Sequence, residues 1–306
     1  MDYPCLSANG YPMNAPDSDL PTGEDIADLR GQIDAIDDQL VRLLNERATV
    51  AKQIGAFKHR EGLPIYSPER EDRLLRGLAD KNAGRPLPTG SLLAIYREIM
   101  SAALALEKNI AIACLGPAGS ATHQAARDKF GSSVSCRPLA TVGAVFREVA
   151  TGESDCGVVP LDEAGHGTLN ATLDCLAESD IQICAQIFAV MDEDDPGRSR
   201  TRFLVLGGSL NPPSERDATM ILLRVEDKPG ALIRALEPFR EHEINLQHVA
   251  NRPASKGSQD VFFFVEAEGH SRDLQTSNVF RDLSMRCRAV KLLGSYPCPA
   301  TTPTEA

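Results

Sequence analysis

A chain of 306 residues, 42% hydrophobic and 25% charged, can bury a substantial core and is long enough for two or three domains. Its formal net charge of -11 works against a nucleic acid or an anionic membrane surface as partner. The eight cysteines, at 5, 114, 136, 156, 175, 184, 287 and 298, form no CxxC pair and stand near no histidine cluster, which fits reduced thiols in a cytoplasmic protein and supports neither a disulfide framework nor a metal site.

Residues 1–23 carry prolines, aspartates and asparagines, with no Lys, Arg or apolar run. A disordered tail is expected there, not a signal peptide or membrane span. From about Glu24 to Arg60 the apolar residues follow one rule: Leu29, Ile33, Ile36, Leu40, Leu43, Val50, Ile54 and Phe57 step by fours and threes, and Arg47 fills the one omitted step. This heptad seam, free of proline, predicts a single long helix, roughly 55 Å from end to end at ~1.5 Å per residue. One small domain cannot bury such a seam, so it is expected to pair with the same helix of a second chain in a homodimer. A guanidinium on the seam then needs an anion. Arg30 lies beside the start of the seam and Lys58 follows Ile54 by four, so cations recur along one side.

"GLPIYSPEREDRLLRGL" turns the chain into a second helix, with Ser67 as N-cap and Pro68 at the first helical position. Arg70 and Glu71 follow at once. "NAGRPLPTG" ends that helix, and a third runs from about Ser91 to Lys108 with Leu92, Tyr96, Ile99 and Ala103 on one face and Glu107 at its edge.

These three helices resemble the all-helical chorismate mutase family as it occurs in bifunctional chorismate mutase/prephenate dehydratases. The match rests on "LRGQIDAIDDQLVRLLNERATVAKQIGAFK", "PIYSPERE" and "IYREIMSAALALE". The resemblance implies a catalytic set of Arg30, Arg47, Lys58, Arg70, Glu71 and Glu107, with Arg30 reaching the site of the other protomer. Ser67 and Ala103 stand at substrate-contact positions where some members have aspartate and serine. Chorismate becomes prephenate in one unimolecular step, without nucleophile or cofactor, so positioning and electrostatics carry it. Arginine forks suit the two carboxylates. Lys58 and a protonated Glu107 would donate to the ether oxygen, Glu71 would hold the ring hydroxyl, and Arg70 would brace the site.

The chain then reads "NIAIACLGPAGSATHQAARDKFG", a strand, a glycine-rich turn and a helix, followed by apolar runs alternating with helical stretches up to "TRFLVLG". This α/β pattern resembles the prephenate dehydratase domain. The opening turn, Gly116, Pro117, Gly119, Thr122 and His123, and the motif Thr201-Arg202-Phe203 carry the likeness, which implies an essential threonine at Thr201. Two departures stand out. "VPLDEAGHG" puts Asp162, Glu163 and Ala164 where the family has Glu, Asn and Ser, concentrating negative charge. The chain also passes through "MDEDDPGRSR" straight to Thr201, where the family has a second lobe. One wall of the dehydratase cleft is thus expected to be missing and Thr201 to be a strand-end residue.

Residues 217–297 spell β-α-β-β-α-β and resemble an ACT domain. Gly230, Ala231 and Leu232 fall in its effector turn, while Asn251, Arg252 and Pro253 belong to "ANRP", where the family motif begins with glutamate. The resemblance implies an amino-acid effector, and the lost glutamate predicts weak phenylalanine binding.

The expected architecture is therefore multidomain: an all-α intertwined mutase dimer over 24–108, able to fold alone, a single dehydratase-like α/β lobe over 109–210, and an α+β ferredoxin-like ACT domain over 217–297. The expected function is chorismate mutase without dehydratase activity and without cofactor, metal, nucleic-acid or membrane partners. A fully bifunctional enzyme and a non-catalytic amino-acid sensor are the alternatives.

Overall fold

The computed structural model describes residues 23–163, 167–168, 170–190, 200–254 and 259–298. The expected tail lies outside them, except that Gly23 already begins the first helix. The chain divides into two compact units, Met1–Val50 and Ala51–Ala306.

In the first unit the described residues are all helix, the leading part of α1 (Gly23–Arg60). Its seam is bare within one chain: Leu29, Ile33, Ile36, Leu40, Leu43 and Val50 are about half exposed. Arg30 is exposed and Arg47 half-buried.

The second unit opens with the end of α1, then α2 (Pro68–Asn82) and α3 (Thr89–Glu107). Ser67 does precede α2 and Pro68 is its first residue, but the Ser67 hydroxyl donates to the Glu69 carboxylate and makes no side-chain cap. The next elements are β1 (Ala111–Leu115), α4 (Ala121–Phe130), β2 (Ser135–Leu139), α5 (Val142–Thr151), β3 (Cys156–Glu163), β4 (Gly167–Thr168), α6 (Asn170–Glu178), β5 (Gln182–Val190) and β6 (Arg200–Gly207). Their sheet has the order β2-β1-β3-β6-β5, with β4 attached to β3. The first three strands run parallel, joined by right-sized helical crossovers, and β6 returns antiparallel between β3 and β5.

The last elements are β7 (Asp217–Glu226), α7 (Ala231–Glu241), β8 (Leu246–Pro253), β9 (Asp260–Glu268), α8 (Leu274–Arg286) and β10 (Ala289–Pro297). They form the expected β-α-β-β-α-β unit, an antiparallel sheet of order β10-β7-β9-β8 whose helices cover a core of Ile221, Leu223, Phe239, Val265, Val279 and Leu283.

Two cores join these parts. Met220, Leu222, Phe264, Leu293 and Tyr296 of the C-terminal sheet are buried in one cluster with Val145, Leu161, Leu204 and Leu206 of the α/β lobe. Strand β10 runs so close to β5 that a Cβ at Gly294 would fall on the Ile183 backbone; only glycine allows that approach. On its other face the lobe buries Ile112, Phe130, Val158, Phe203 and Val205, and Ile65, Tyr66 and Leu104 from the helical part pack against this second cluster. Residues 24–108 therefore seat apolar side chains in the α/β lobe as well as along their own seam.

Candidate active site

The end of α1 meets the end of α3 at Gly55. A Cβ there would stand 2.8 Å from Glu107 Cα and Cβ, closer than carbon atoms pack. One helical step further, Lys58 Nζ donates to the Ile65 carbonyl at 2.7 Å and lies 3.2 Å from Glu107 Oε2. Both side chains are largely enclosed, at 18% and 9% exposure. An ammonium has three donors; the Ile65 carbonyl and Glu107 take two of them. Ala103, one turn before Glu107, is buried.

The other expected site residues are distributed differently. Arg70 is exposed. Glu71 lies 3.0 Å from Lys129 Nζ on α4, in the α/β lobe, and borders the Tyr66 hydroxyl, whose pKa is pushed well above its usual value by burial and then by the Glu71 charge. Glu107 stands in a pair with Lys58, so the two groups expected to face one substrate oxygen are brought together. Arg30 and Arg47 belong to the first unit. The close contact of Gly55 with Glu107 and the reach of Lys129 to Glu71 were not expected from sequence: Gly55 stands out as the only glycine in the second half of α1, whereas nothing marks Lys129.

A second polar cluster lies between the α/β lobe and the C-terminal sheet. Arg202 donates through Nε to Asp162 Oδ2 at 2.8 Å and through Nη1 to Glu266 Oε2 at 2.6 Å. Burial opposes the guanidinium charge, but Glu266 and then Asp162 outweigh it and raise the Arg202 pKa. Glu266, 2% exposed, also accepts from Tyr296 Oη at 2.7 Å and from Gln186. Burial first, and then Glu266, push the Tyr296 pKa well up. His248 borders this cluster, and burial followed by the Arg202 charge lowers its pKa. Thr201, the second residue of β6, is buried, and so is Phe203. Asp162 is thus paired with a cation, which offsets its share of the negative charge expected there; the side chain of Glu163 and residue Ala164 lie outside the described residues.

At the start of α4, Ser120 accepts from the His123 amide at 3.3 Å and the Gly119 amide donates to His123 Nδ1 at 3.2 Å; Thr122 is buried in that turn. In the C-terminal sheet Gly230, at φ 76°, precedes α7, with Ala231 buried and Leu232 half-buried behind it. Asn251, Arg252 and Pro253 end the edge strand β8, and Arg252 Nη2 donates to Asp174 of α6 at 2.6 Å. Among the described residues no cluster of His, Cys, Asp or Glu is placed to hold a metal, and no helix is long and apolar enough to cross a membrane.

Comparison with known proteins matches residues 29–108 to Chorismate mutase type II, 112–193 to Prephenate dehydratase and 219–284 to the ACT domain. A bifunctional chorismate mutase/prephenate dehydratase of Aquifex aeolicus is 34% identical, covering 90% of this chain and 98% of that protein. This chain belongs to the bifunctional chorismate mutase/prephenate dehydratase family. A second member, from Stutzerimonas stutzeri, is 30% identical over 88% of this chain and 96% of its own length. Within the family the chain is short: the 355 positions aligned with the Aquifex protein take in about 275 of its own residues, 90% of 306. The dehydratase match ends at 193, before Thr201. The X-ray structure of prephenate dehydratase from Streptococcus mutans superposes with a TM-score of 0.52 at 28% identity, covering 61% of this chain and 97% of that one.

Proposed function

We propose that this chain is a chorismate mutase that converts chorismate to prephenate in aromatic amino-acid biosynthesis, and that its dehydratase-like lobe does not turn prephenate over. The observation that carries the first part is the enclosed Lys58 and Glu107 pair at the Gly55 contact. A preorganised donor held in a site of low polarity stabilises charge growing on an oxygen far better than water does. Lys58, oriented by Glu107, donates to the ether oxygen as the C–O bond breaks and the C–C bond forms. Arg47 and, from the other protomer, Arg30 grip the two carboxylates as planar forks. Glu71 accepts from the ring hydroxyl, Arg70 braces the site, and Ser67 and Ala103 line it. The bare seam of α1 supports a homodimer, since contiguous exposed apolar surface of this extent marks an interaction face.

Loss of dehydratase activity is supported by the Arg202 ion pairs and by the burial of Thr201 and Phe203 in a strand that seats the ACT sheet. Expelling hydroxide and carbon dioxide from prephenate needs a donor at the leaving hydroxyl and a site closed to water. The rival reading, full bifunctionality yielding phenylpyruvate, is favoured by relatives of that description matching along 98% and 96% of their lengths and by the retained Thr201. Chorismate given to the purified protein decides between them. Prephenate is expected to accumulate without phenylpyruvate. Enzyme-dependent phenylpyruvate that disappears in Thr201→Ala would establish the bifunctional reading, and unchanged chorismate would leave the sensor. The ACT domain supports an amino-acid effector, weakly bound if it is phenylalanine, because Arg252 is already paired with Asp174.

A further inference from the structure

Three groups in the mutase site are each anchored in the dehydratase-like lobe. The Ile65 carbonyl holds Lys58 Nζ at 2.7 Å, while the Ile65 side chain packs on the lobe's buried cluster. Leu104, one turn before Glu107, packs on the same cluster. Tyr66 sets its ring against Phe130 of α4, with centroids 4.9 Å apart, and its enclosed hydroxyl lies beside Glu71. Next to Phe130 in sequence, Lys129 reaches Glu71 Oε1 at 3.0 Å, with the two side chains 22% and 12% exposed.

Resting on the mutase reading above, we propose that Lys129, supplied by the dehydratase-like lobe, is a positioning residue for the chorismate rearrangement, holding the Glu71 carboxylate toward the substrate's ring hydroxyl. A carboxylate has two acceptor oxygens. Lys129 engages one and fixes the direction in which the remaining lone pairs are offered to the substrate. It also neutralises an anion that would otherwise face a dianionic substrate across a partly enclosed site, where salt screens little. Without Lys129, Glu71 is free to change rotamer and its charge opposes binding, so the loss falls mainly on KM. An ion pair that served only to glue two domains would lower stability and leave the kinetics of the folded protein unchanged. The lobe, on this inference, is retained as the floor of the mutase site.

The test uses the full chain and steady-state chorismate turnover. Lys129→Met is expected to lose between about 10- and 100-fold in kcat/KM, the size of effect that misplacing one site group produces, with most of it in KM. Lys129→Arg should recover most of the loss, since a guanidinium makes the same charge-assisted contact. In a Glu71→Gln background, Lys129→Met should cost little more, because the two act as one unit. A folded Lys129→Met protein with unchanged kcat/KM overturns the proposal, and so does a loss in the Glu71→Gln background as large as in the parent. Lys129→Gln, which keeps a donor without the charge, is read by the same criteria if the methionine variant does not fold. Absence of chorismate turnover by the unaltered chain would sink the mutase reading itself; normal turnover with an indifferent Lys129 sinks only this inference.

Discussion

Gly55→Ala offers a sharp test of the proposed mutase site, because stability and activity are expected to respond by very different amounts. The new methyl would lie 2.8 Å from Glu107 Cα and Cβ and 2.9 Å from Cγ, so α1 and α3 must part by about 1 Å to restore ordinary carbon contact. Overpacking of this kind costs about 1 to 3 kcal/mol. Replacing a glycine inside a helix returns about 1 kcal/mol. The net destabilisation is therefore modest, roughly 0 to 2 kcal/mol. Lys58 and Glu107 sit on the two helices being separated, and a shift of about 1 Å in a positioned group can cost on the order of 10²-fold in rate. Urea unfolding and the continuous loss of chorismate absorbance measure the two effects on one preparation. A Gly55→Ala protein as active as the parent and about 1 kcal/mol more stable would refute the close approach and the site built on it.

Further expectations concern the seam, the charges and the junction with the ACT sheet. Arg47→Ala should lower kcat/KM on the order of 10²-fold or more while urea unfolding changes little; the reverse pattern would make Arg47 structural. Leu40→Glu places a charge on a residue 50% exposed in the single chain and should yield monomers in sedimentation velocity, whereas an unchanged dimer would put the interface elsewhere. Glu266→Gln leaves the buried Arg202 cation with half its partners and should cost about 3 kcal/mol by denaturant titration; a neutral result would mean that the ion pair does not seat the ACT sheet. His248, which faces Arg202, Asp162 and Glu266, has its pKa held down by burial and then by Arg202. Below its ordinary value of about 6.5 the unfolded chain binds the extra proton. Stability should thus rise with pH through that window, flatten above it, and fall as pH drops through the folded pKa. His248→Asn should remove that slope, and an unaltered slope in urea titrations would assign it to another group.

The sequence carried the local parts of this fold plainly. The four-and-three spacing in 24–60 gave α1 within one residue at its start, the turns and alternating runs of 217–297 gave all six ACT elements, and Lys58 and Glu107, both expected in one site, lie 3.2 Å apart. What it did not carry is long-range. Glu71 with Lys129, and Arg202 with Glu266, join residues whose pairing depends on how whole layers pack, and neither contact has a local pattern. Strand β2 was not singled out because it is an edge strand with alternating burial only in part. The partner of Asp162 was hidden for the same reason: the strand register that sets Asp162 beside Arg202 becomes visible only when β3 and β6 pair.

Arg202 shows how the α/β lobe and the ACT sheet are tied together. A dehydratase strand that faces a cleft can keep a guanidinium available to substrate. Here the same group is divided between Asp162 of its own sheet and Glu266 of the ACT sheet, and Tyr296 and Gln186 converge on that same glutamate. Freeing Arg202 for chemistry would leave Glu266, 2% exposed, as an unpaired buried anion, a state that costs several kcal/mol. One residue cannot hold the ACT sheet and serve a cleft at the same time. On the opposite face, Phe130 and Lys129 bear on the helical part. With one face of the lobe packed on the ACT sheet and the other on the helical part, a substitution in either core is expected to be felt in both neighbours.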